Sequence, residues 1–393
     1  MGETFLDERS GLLIPEKKRI LIIAGEASGD LHGSGVVKAL LRLSPDVQVH
    51  GLGGGNMRQA GAEMLMDSSR LAVVGITEVL GKIGHLVRAY RQVKKFIKTH
   101  PPALLILIDF PDFNLPLAGV AKRMRVPVLY YISPQVWAWR SGRVKKIAER
   151  VHKMAVILPF EVPIFREMGL EVEFVGHPLL DVVGLKEQET FFPQGEEWKG
   201  DPLITLLPGS RTKEIKSLLP GMVRAAEILQ ANKPNARFIL ALAPGIRPQE
   251  VKGFLDSSAA VITLVQGQTY RAIKAADLVL VASGTATLEA AILDKPMVIL
   301  YQVSPLSYWI GKAMVKLPWI GLVNIVAGKR VVPELLQEAA QGERIADEAL
   351  KILEGESYRK EMLQGLAEVR AKLGTPGASE RVARMALEMV GCI

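Results

Sequence analysis

Two aspartates are the residues in this sequence best placed to act as an acid or a base. Asp109 and Asp112 are the only carboxylates between residues 79 and 148, a span otherwise rich in lysine and arginine. Asp109 directly follows an apolar run at residues 103–108, which is typical of a buried parallel strand. A carboxylate at the carboxyl end of such a strand can serve as a general base. We interpret Asp109 as the candidate base, with a structural aspartate as the alternative, and Asp112 as a cap or turn residue on the floor of a cleft.

Two turns in the second half of the chain have the composition of a diphosphate site. The first, Gly209-Ser210-Arg211, follows an apolar run at residues 203–207 and precedes a helical pattern. Backbone N–H groups at a helix N-terminus and a bidentate arginine both favour a phosphate. An ordinary turn with a solvated arginine is the alternative. The second turn contains the following candidate nucleotide-binding residues: Ser283, Gly284, Thr285 and, one helical turn later, Glu289.

A third turn, GEASGD at residues 25–30, follows the first apolar run of the chain. Its glycines permit a tight turn, and Ser28 and Asp30 could cap the next helix or form the floor of a substrate site. The sequence contains neither a G-x-G-x-x-G fingerprint after this strand nor a Walker A motif. The pattern therefore argues against a dehydrogenase and against a P-loop enzyme.

Metal and cofactor chemistry have little support in the sequence. The six histidines lack ligand spacing, no Asp-x-Asp triplet occurs, and the single cysteine, Cys392, excludes an intrachain disulfide. We therefore expect no metal and no cofactor. Arg211 and the helix dipoles would have to stabilise the charge of a leaving diphosphate.

Apolar runs alternate with helical patterns along the whole chain, which indicates doubly wound parallel sheets. The predicted strands are residues 19–24, 47–52, 103–108, 126–132, 153–158, 203–207, 237–243, 261–265, 277–282 and 296–301. A length of 393 residues favours two domains. We predict a tail at 1–18, a first domain at 19–185, a second domain at 201–355, and C-terminal helices at 356–393.

The composition points to a globular protein with acidic or anionic partners. The net charge is +8 at 23% charged residues, and the N-terminal segment lacks the basic start and apolar run of a secretory signal. No apolar run approaches the length of a spanning helix, so we expect membrane contact to be peripheral. The segment at residues 71–98 mixes apolar and basic residues and could lie in a membrane interface, with a core helix bearing a solvated basic face as the alternative. The predicted membrane contacts are Val73, Val74, Ile76, Val79, Leu80, Lys82, Ile83 and Arg88.

Seven motifs, in order along the chain, resemble the lipid-A-disaccharide synthases. They are GEASGD at 25–30, IDFPDFN at 108–114, YISPQVWAWR at 131–140, VGHP at 175–178, LLPGSR at 206–211, ASGTA at 282–286 with Leu288 and Glu289, and NIVAG at 324–328. Each motif is weak by itself, but the set is specific and spans nearly the whole chain. The resemblance implies a glycosyltransferase B fold, in which two Rossmann-like domains face a central cleft. It implies that the domain at 19–185 binds the acceptor and contacts the membrane, and that the domain at 201–355 binds the UDP-sugar. It also implies that the C-terminal helices at 356–393 pack back towards the first domain.

The resemblance also implies an activity. The expected reaction joins UDP-2,3-diacylglucosamine to 2,3-diacylglucosamine 1-phosphate (lipid X), with inversion, to give the β-1,6-linked disaccharide 1-phosphate and UDP. It implies Asp109 as general base, Arg211 as the stabiliser of the leaving diphosphate, and Glu289 and Asn324 at the UDP site. It places the protein at the cytoplasmic face of the inner membrane, as a peripheral protein. The sequence leaves a homodimer open.

Two other functions remain as alternatives. A UDP-sugar 2-epimerase shares the fold, but it would need acid–base carboxylates and histidines around the sugar, which the acid-poor first half does not offer. The basic charge also fits a nucleic-acid-binding module, but no recognition-helix or stacking-sheet motif occurs, so we expect no nucleic-acid partner.

Overall fold

The computed structural model describes residues 4–6, 13–15, 18–67, 79–134, 142–189, 195, 198–304 and 318–393. It divides into two compact units, Met1–Pro178 with Thr375–Ile393, and Leu179–Gly374. The predicted boundary at residues 185–201 lies partly outside the described residues, and the domain limits stay a prediction.

The first unit is built on a seven-stranded parallel sheet with the order β5-β4-β3-β6-β7-β8-β9. Its strands are β3 (Lys18–Ala24), β4 (Val47–Gly53), β5 (Glu63–Asp67), β6 (Leu104–Ile108), β7 (Val128–Tyr131), β8 (Lys153–Val156) and β9 (Glu171–Phe174). A short antiparallel pair, β1 (Thr4–Leu6) and β2 (Leu13–Pro15), precedes the sheet. The two central strands, β3 and β6, are fully buried from Ile20 to Ala24 and from Leu104 to Ile108, as their continuous apolar runs predict.

Helices follow the strands of the first unit in alternation. They are α1 (Ala27–Leu43), α2 (Gly55–Gln59), α3 (Val79–Thr99), α4 (Pro111–Arg123), α5 (Arg143–Ala148) and α6 (Glu161–Arg166). The apolar sides of α1 and α4 lie on the sheet and complete the core.

The second unit repeats this architecture with a six-stranded parallel sheet of order β12-β11-β10-β13-β14-β15. Its strands are β10 (Leu203–Leu207), β11 (Arg237–Leu242), β12 (Ile262–Gln266), β13 (Leu278–Ala282), β14 (Met297–Tyr301) and β15 (Glu334–Leu336). Its helices are α7 (Leu179–Glu189), α8 (Thr212–Asn232), α9 (Gln249–Asp256), α10 (Thr269–Ala275), α11 (Thr285–Ile292), α12 (Leu322–Ala327), α13 (Gly342–Glu354) and α14 (Glu356–Lys372).

The last helix, α15 (Ala378–Met389), belongs to the first unit, whereas α14 belongs to the second. It packs on α1, and a salt bridge joins Arg42 to Glu380 at 2.6 Å. Arg381 donates from Nε to the carbonyl of Val175 at 2.8 Å. These contacts hold α15 against the first unit, although residues 179–374 of the second unit lie before it in sequence.

The predicted fold class is confirmed: both units are α/β with parallel sheets. Helix α1 begins at Ala27, so Ser28 and Asp30 lie in its first turn and neither is its N-cap residue. Helix α8 begins at Thr212, directly after the turn at residues 209–211. In both places the helix starts within a few residues of the strand end.

Candidate functional site

Asp109 lies where β6 ends, on a backbone in a rare conformation. Asp109 and Phe110 have φ angles of 44° and 46°, in the left-handed region. This conformation costs on the order of 1–3 kcal/mol for each non-glycine residue and is most common at functional sites. The carbonyl of Asp109 accepts hydrogen bonds from Tyr130 Oη at 2.6 Å and Asn114 Nδ2 at 2.7 Å. These two bonds hold the backbone of the strained turn that carries Asp109.

The environment of Asp109 suits a base near neutral pH. The pKa of the Asp109 carboxyl is raised from 3.8 to about 6: burial raises it most, the nearby Glu26 carboxylate also raises it, and the N–H of Phe110 lowers it in part. A carboxylate with a pKa near 6 is largely ionised at pH 7 and yet binds a proton well. The site therefore combines a backbone held in place with a matched basicity.

Phe110 packs into the GEASGD turn through Gly25. A Cβ atom on Gly25 would lie 2.1 Å from Cδ1 of Phe110, so only glycine leaves room for the ring. Gly25 is thus required for the packing of the residue next to Asp109.

Asp30 connects the turns that follow β3 and β4. Its carboxylate accepts hydrogen bonds from the N–H groups of Gly54 (2.6 Å), Asn56 (3.0 Å) and Met57 (3.1 Å), and from Asn56 Nδ2 (2.8 Å). The side chain is buried, and these bonds use most of its acceptor capacity. Asp30 therefore shapes the floor of this edge by holding two loops, and its contact with an acceptor stays a prediction.

The other two residues predicted for the floor are exposed. Ser28 lies in the first turn of α1. Asp112 lies in the first turn of α4 and forms an ion pair with Arg143. Their contact with an acceptor also stays a prediction.

The second unit contains a cavity of about 790 Å³ at the carboxyl ends of its strands. The predicted nucleotide residues that line it are Gly209, Ser210, Arg211, Ser283, Gly284, Thr285 and Glu289. The fold thus brings two turns more than seventy residues apart in sequence to one place. Helices α8 and α11 both begin at this cavity, which gives it a positive electrostatic character.

The Arg211 turn is held by a carboxylate that the sequence analysis did not assign. Glu214 accepts the N–H of Ser210 at 3.1 Å and pairs with Arg211 at 3.0 Å. The Arg211 side chain is nonetheless 71% exposed, so its guanidinium stays accessible to a ligand. Gly209 has a φ of 113°, and a Cβ atom there would lie 2.5 Å from Oε2 of Glu214. Glycine at this position therefore serves both the turn and the approach of Glu214.

Glu289 and Asn324, both predicted at the UDP site, are in different settings. Glu289 lines the cavity; burial raises its pKa, and a hydrogen bond from Tyr270 Oη at 2.8 Å lowers it in part. Asn324 is fully buried outside the cavity lining, where Nδ2 donates to Val332 and Glu334 and Oδ1 accepts from the N–H groups of Val331 and Val332. Its amide is satisfied by the protein, so a contact with UDP stays a prediction.

Besides Glu214, sequence reasoning missed other polar side chains of the cavity, among them Gln268, Tyr270 and Arg271. The guanidinium of Arg271 donates to Gln268 Oε1 at 2.9 Å and lies 5.9 Å from the centroid of the Trp198 ring. A signal was present, because these residues directly follow β12 and so lie at the same sheet edge as the two turns.

The segment predicted to contact the membrane is only partly described. Val73, Val74 and Ile76 lie outside the described residues, and Val79, Leu80, Lys82 and Ile83 belong to the first turns of α3. Arg88 is exposed on the same helix. No helix among the described residues is both long and apolar enough to cross a membrane. Within the same residues, no group of three or more His, Cys, Asp or Glu side chains is arranged to hold a metal ion.

Comparison with known proteins identifies a family over nearly the whole chain. Residues 20–388 match the family model described as lipid-A-disaccharide synthetase. The lipid-A-disaccharide synthase of Geobacter sulfurreducens is 49% identical over 375 residues, which cover 95% of this chain and 97% of that protein. The enzyme of the same name from Coxiella burnetii is 39% identical over 95% of this chain and 99% of its own length. The resemblance expected from the seven motifs is confirmed.

Solved structures share the fold at low sequence identity. A UDP-GlcNAc 2-epimerase from Neisseria meningitidis, solved with UDP-GlcNAc bound, has a TM-score of 0.65 at 13% identity and covers 94% of this chain and all of its own. The calicheamicin glycosyltransferase CalG4 has a TM-score of 0.60 at 15% identity and covers 96% of this chain and 99% of its own. These similarities confirm the glycosyltransferase B fold class and carry no further argument. From the family model and the curated relatives together, the chain belongs to the lipid-A-disaccharide synthetase family, a family of glycosyltransferases.

Proposed function

We propose that the chain joins the two acylated glucosamine units of lipid A in one inverting step. UDP-2,3-diacylglucosamine is the donor, lipid X is the acceptor, and UDP is released. The observation that carries this proposal is Asp109, a partly buried carboxylate on a strained turn with its pKa raised to about 6, in a chain of this family.

Asp109 acts as the general base. Its carboxylate takes the proton of the acceptor 6-hydroxyl as that oxygen attacks the anomeric carbon of the donor, and the bond from that carbon to UDP breaks. A single displacement inverts the anomeric configuration, so no covalent intermediate on the enzyme is required. Tyr130 and Asn114 support the turn that carries this carboxylate by donating hydrogen bonds to the Asp109 carbonyl.

The cavity of the second unit binds the UDP part of the donor. The N-termini of α8 and α11 and the exposed guanidinium of Arg211 supply positive charge for the diphosphate. Charge on the leaving oxygen grows in the transition state, so these groups stabilise the transition state more than the ground state. In this scheme the cations of the chain itself neutralise the leaving group, without a metal ion.

Peripheral contact with the cytoplasmic face of the inner membrane brings the acylated substrates within reach. Exposed basic residues of α3 support this part of the proposal: Arg88, Arg91, Lys95 and Lys98. Such residues attract anionic headgroups by about 1 kcal/mol each near a charged surface.

The decisive experiment is to measure UDP release from UDP-2,3-diacylglucosamine in detergent micelles, with and without lipid X, and in the presence of EDTA. We expect release that requires lipid X and that persists in EDTA. Release of UDP without lipid X, or a failure of folded protein to release UDP, would contradict the proposed reaction. If release requires lipid X but is lost when EDTA is present, the proposed reaction stands and the metal-free mechanism is contradicted.

A further inference from the structure

Tyr270 and Glu289 form a hydrogen-bonded pair in the wall of the cavity. Tyr270 Oη donates to Glu289 Oε1 at 2.8 Å, and both residues line the cavity. Among the described residues, none donates a hydrogen bond to the second oxygen, Oε2. Glu289 thus presents one oxygen that is held by the protein and one that is left for another donor.

The position of Glu289 indicates which part of a nucleotide it meets. Helix α11 begins at Thr285, at the end of the cavity that favours phosphate, and Glu289 lies four residues further on. Four residues correspond to about 6 Å along a helix axis. In a nucleoside diphosphate, the ribose is the group adjacent to the phosphates. A carboxylate at this distance therefore faces the ribose, whose two hydroxyls are hydrogen-bond donors.

A glutamate needs help to perform this role, because its terminal torsion is soft and its burial opposes ionisation. The Tyr270 hydroxyl fixes the rotation of the carboxylate through Oε1. The same bond favours the ionised carboxylate against the effect of burial, and burial together with Glu289 holds the pKa of the Tyr270 phenol well above its usual range. Tyr270 therefore remains a hydrogen-bond donor to Glu289.

We propose that Tyr270 is a positioning residue of the donor site, which holds Glu289 so that Oε2 accepts hydrogen bonds from the ribose hydroxyls and selects ribonucleotides over 2′-deoxyribonucleotides. This inference rests on the proposed binding of UDP in the cavity. It assigns to Tyr270 an effect on specificity that a purely structural side chain would not have.

The test compares UDP with 2′-deoxy-UDP by isothermal titration calorimetry on the full chain in detergent. A charge-assisted hydrogen bond predicts that the unaltered protein binds UDP at least about tenfold more tightly than 2′-deoxy-UDP. In Tyr270→Phe the ratio should fall to about threefold or less, mainly through weaker binding of UDP. Glu289→Gln, which keeps the shape and removes the charge, should lower the ratio in the same way.

The chain offers a matched control in the same unit. Tyr358 donates to Glu348 Oε1 at 3.0 Å on α14 and α13, and neither residue lines the cavity. Tyr358→Phe removes the same kind of bond and should leave the ratio unchanged. If UDP still binds and the ratio is unchanged in Tyr270→Phe or in Glu289→Gln, the inference is overturned but the proposed donor site stands. If the unaltered protein binds no UDP, the proposed donor site fails, and the inference falls with it.

Discussion

Asp109 shows how one residue can be unfavourable for folding and useful for chemistry. Its folded pKa of about 6 lies above the ordinary value of 3.8, so the folded protein holds this proton more tightly than the unfolded chain does. The contribution of Asp109 to stability is therefore full below about pH 4 and is lost as the pH rises through about 6. At neutral pH the fold contains an ionised carboxylate that burial disfavours, and this is the form that a general base requires.

The rate should report this ionisation. We expect kcat/KM for UDP release to rise with pH through an apparent pKa near 6. Glu26→Gln removes a negative charge that raises this pKa. The rise of kcat/KM on the acid side of the profile (the acid limb) should therefore move to lower pH. Steady-state rates between about pH 5 and pH 9 cover this rise and the plateau above it.

Two further variants decide whether the limb belongs to Asp109. Asp109→Asn should lower turnover by about 10²-fold or more. Asp46→Asn, which changes an exposed aspartate before β4, should not. A loss of less than tenfold in Asp109→Asn, or an acid limb that does not move in Glu26→Gln, would count against Asp109 as the base.

Arg211 is the residue on which the leaving group should depend. Its removal should cost about 2–4 kcal/mol of transition-state stabilisation, seen as a fall in kcat for Arg211→Ala. Arg247 is a matched control, because it is also exposed and pairs with a glutamate three residues on, outside the cavity lining. Equal rates for Arg211→Ala and Arg247→Ala would remove Arg211 from this role.

At the scale of elements, the packing of the turn at Asp109 depends on the end of the neighbouring strand β3. The ring of Phe110, the residue after Asp109, occupies the space that only glycine leaves at position 25. The strand ends of β3 and β6 are adjacent in the sheet, since Ala24 pairs with Ile108. The GEASGD turn therefore supports the turn at Asp109 through packing.

Gly25→Ala should lower both stability and activity. The added methyl group collides with the Phe110 ring, and overpacking of this kind costs about 1–3 kcal/mol. Urea denaturation gives the free energy of unfolding, and UDP release gives the rate. Gly55→Ala is the control, because nothing lies within 4 Å of the added atom there. A Gly25→Ala protein as stable and as active as Gly55→Ala would show that the Phe110 ring adjusts freely.

For the whole molecule, the net charge of +8 gives a basic protein whose cations could meet an anionic lipid surface. Arg91→Glu with Lys95→Glu reverses two exposed charges on α3 and should lower the fraction that sediments with anionic vesicles. Arg344→Glu with Lys360→Glu makes the same change of charge on exposed sites of the second unit and should have a smaller effect. Equal losses for the two pairs would show that the attraction is diffuse and that α3 is not the contact.

The sequence by itself determined the class of fold, the position of Asp109 after a buried strand, and the two turns that line the cavity of the second unit. It could do so because continuous apolar runs are local signals of buried parallel strands, and because the carboxyl ends of such strands lie at one edge of a sheet. Asp109 directly follows the run at residues 103–108, and Arg211 lies a few residues after the run at 203–207. Their placement therefore needed no knowledge of distant contacts.

Only the tertiary structure decided which polar side chains are occupied by the protein and which stay open to a ligand. Asp30 bonds to a loop more than twenty residues away, Asn324 is enclosed by the turn before β15, and Tyr270 meets Glu289 across two helices. Hydrogen-bond partners of this kind depend on loop conformation and on non-local packing, neither of which leaves a periodic signal in sequence. For the same reason the strained backbone of Asp109 and the burial that raises its pKa become visible only once β6 and β7 lie side by side.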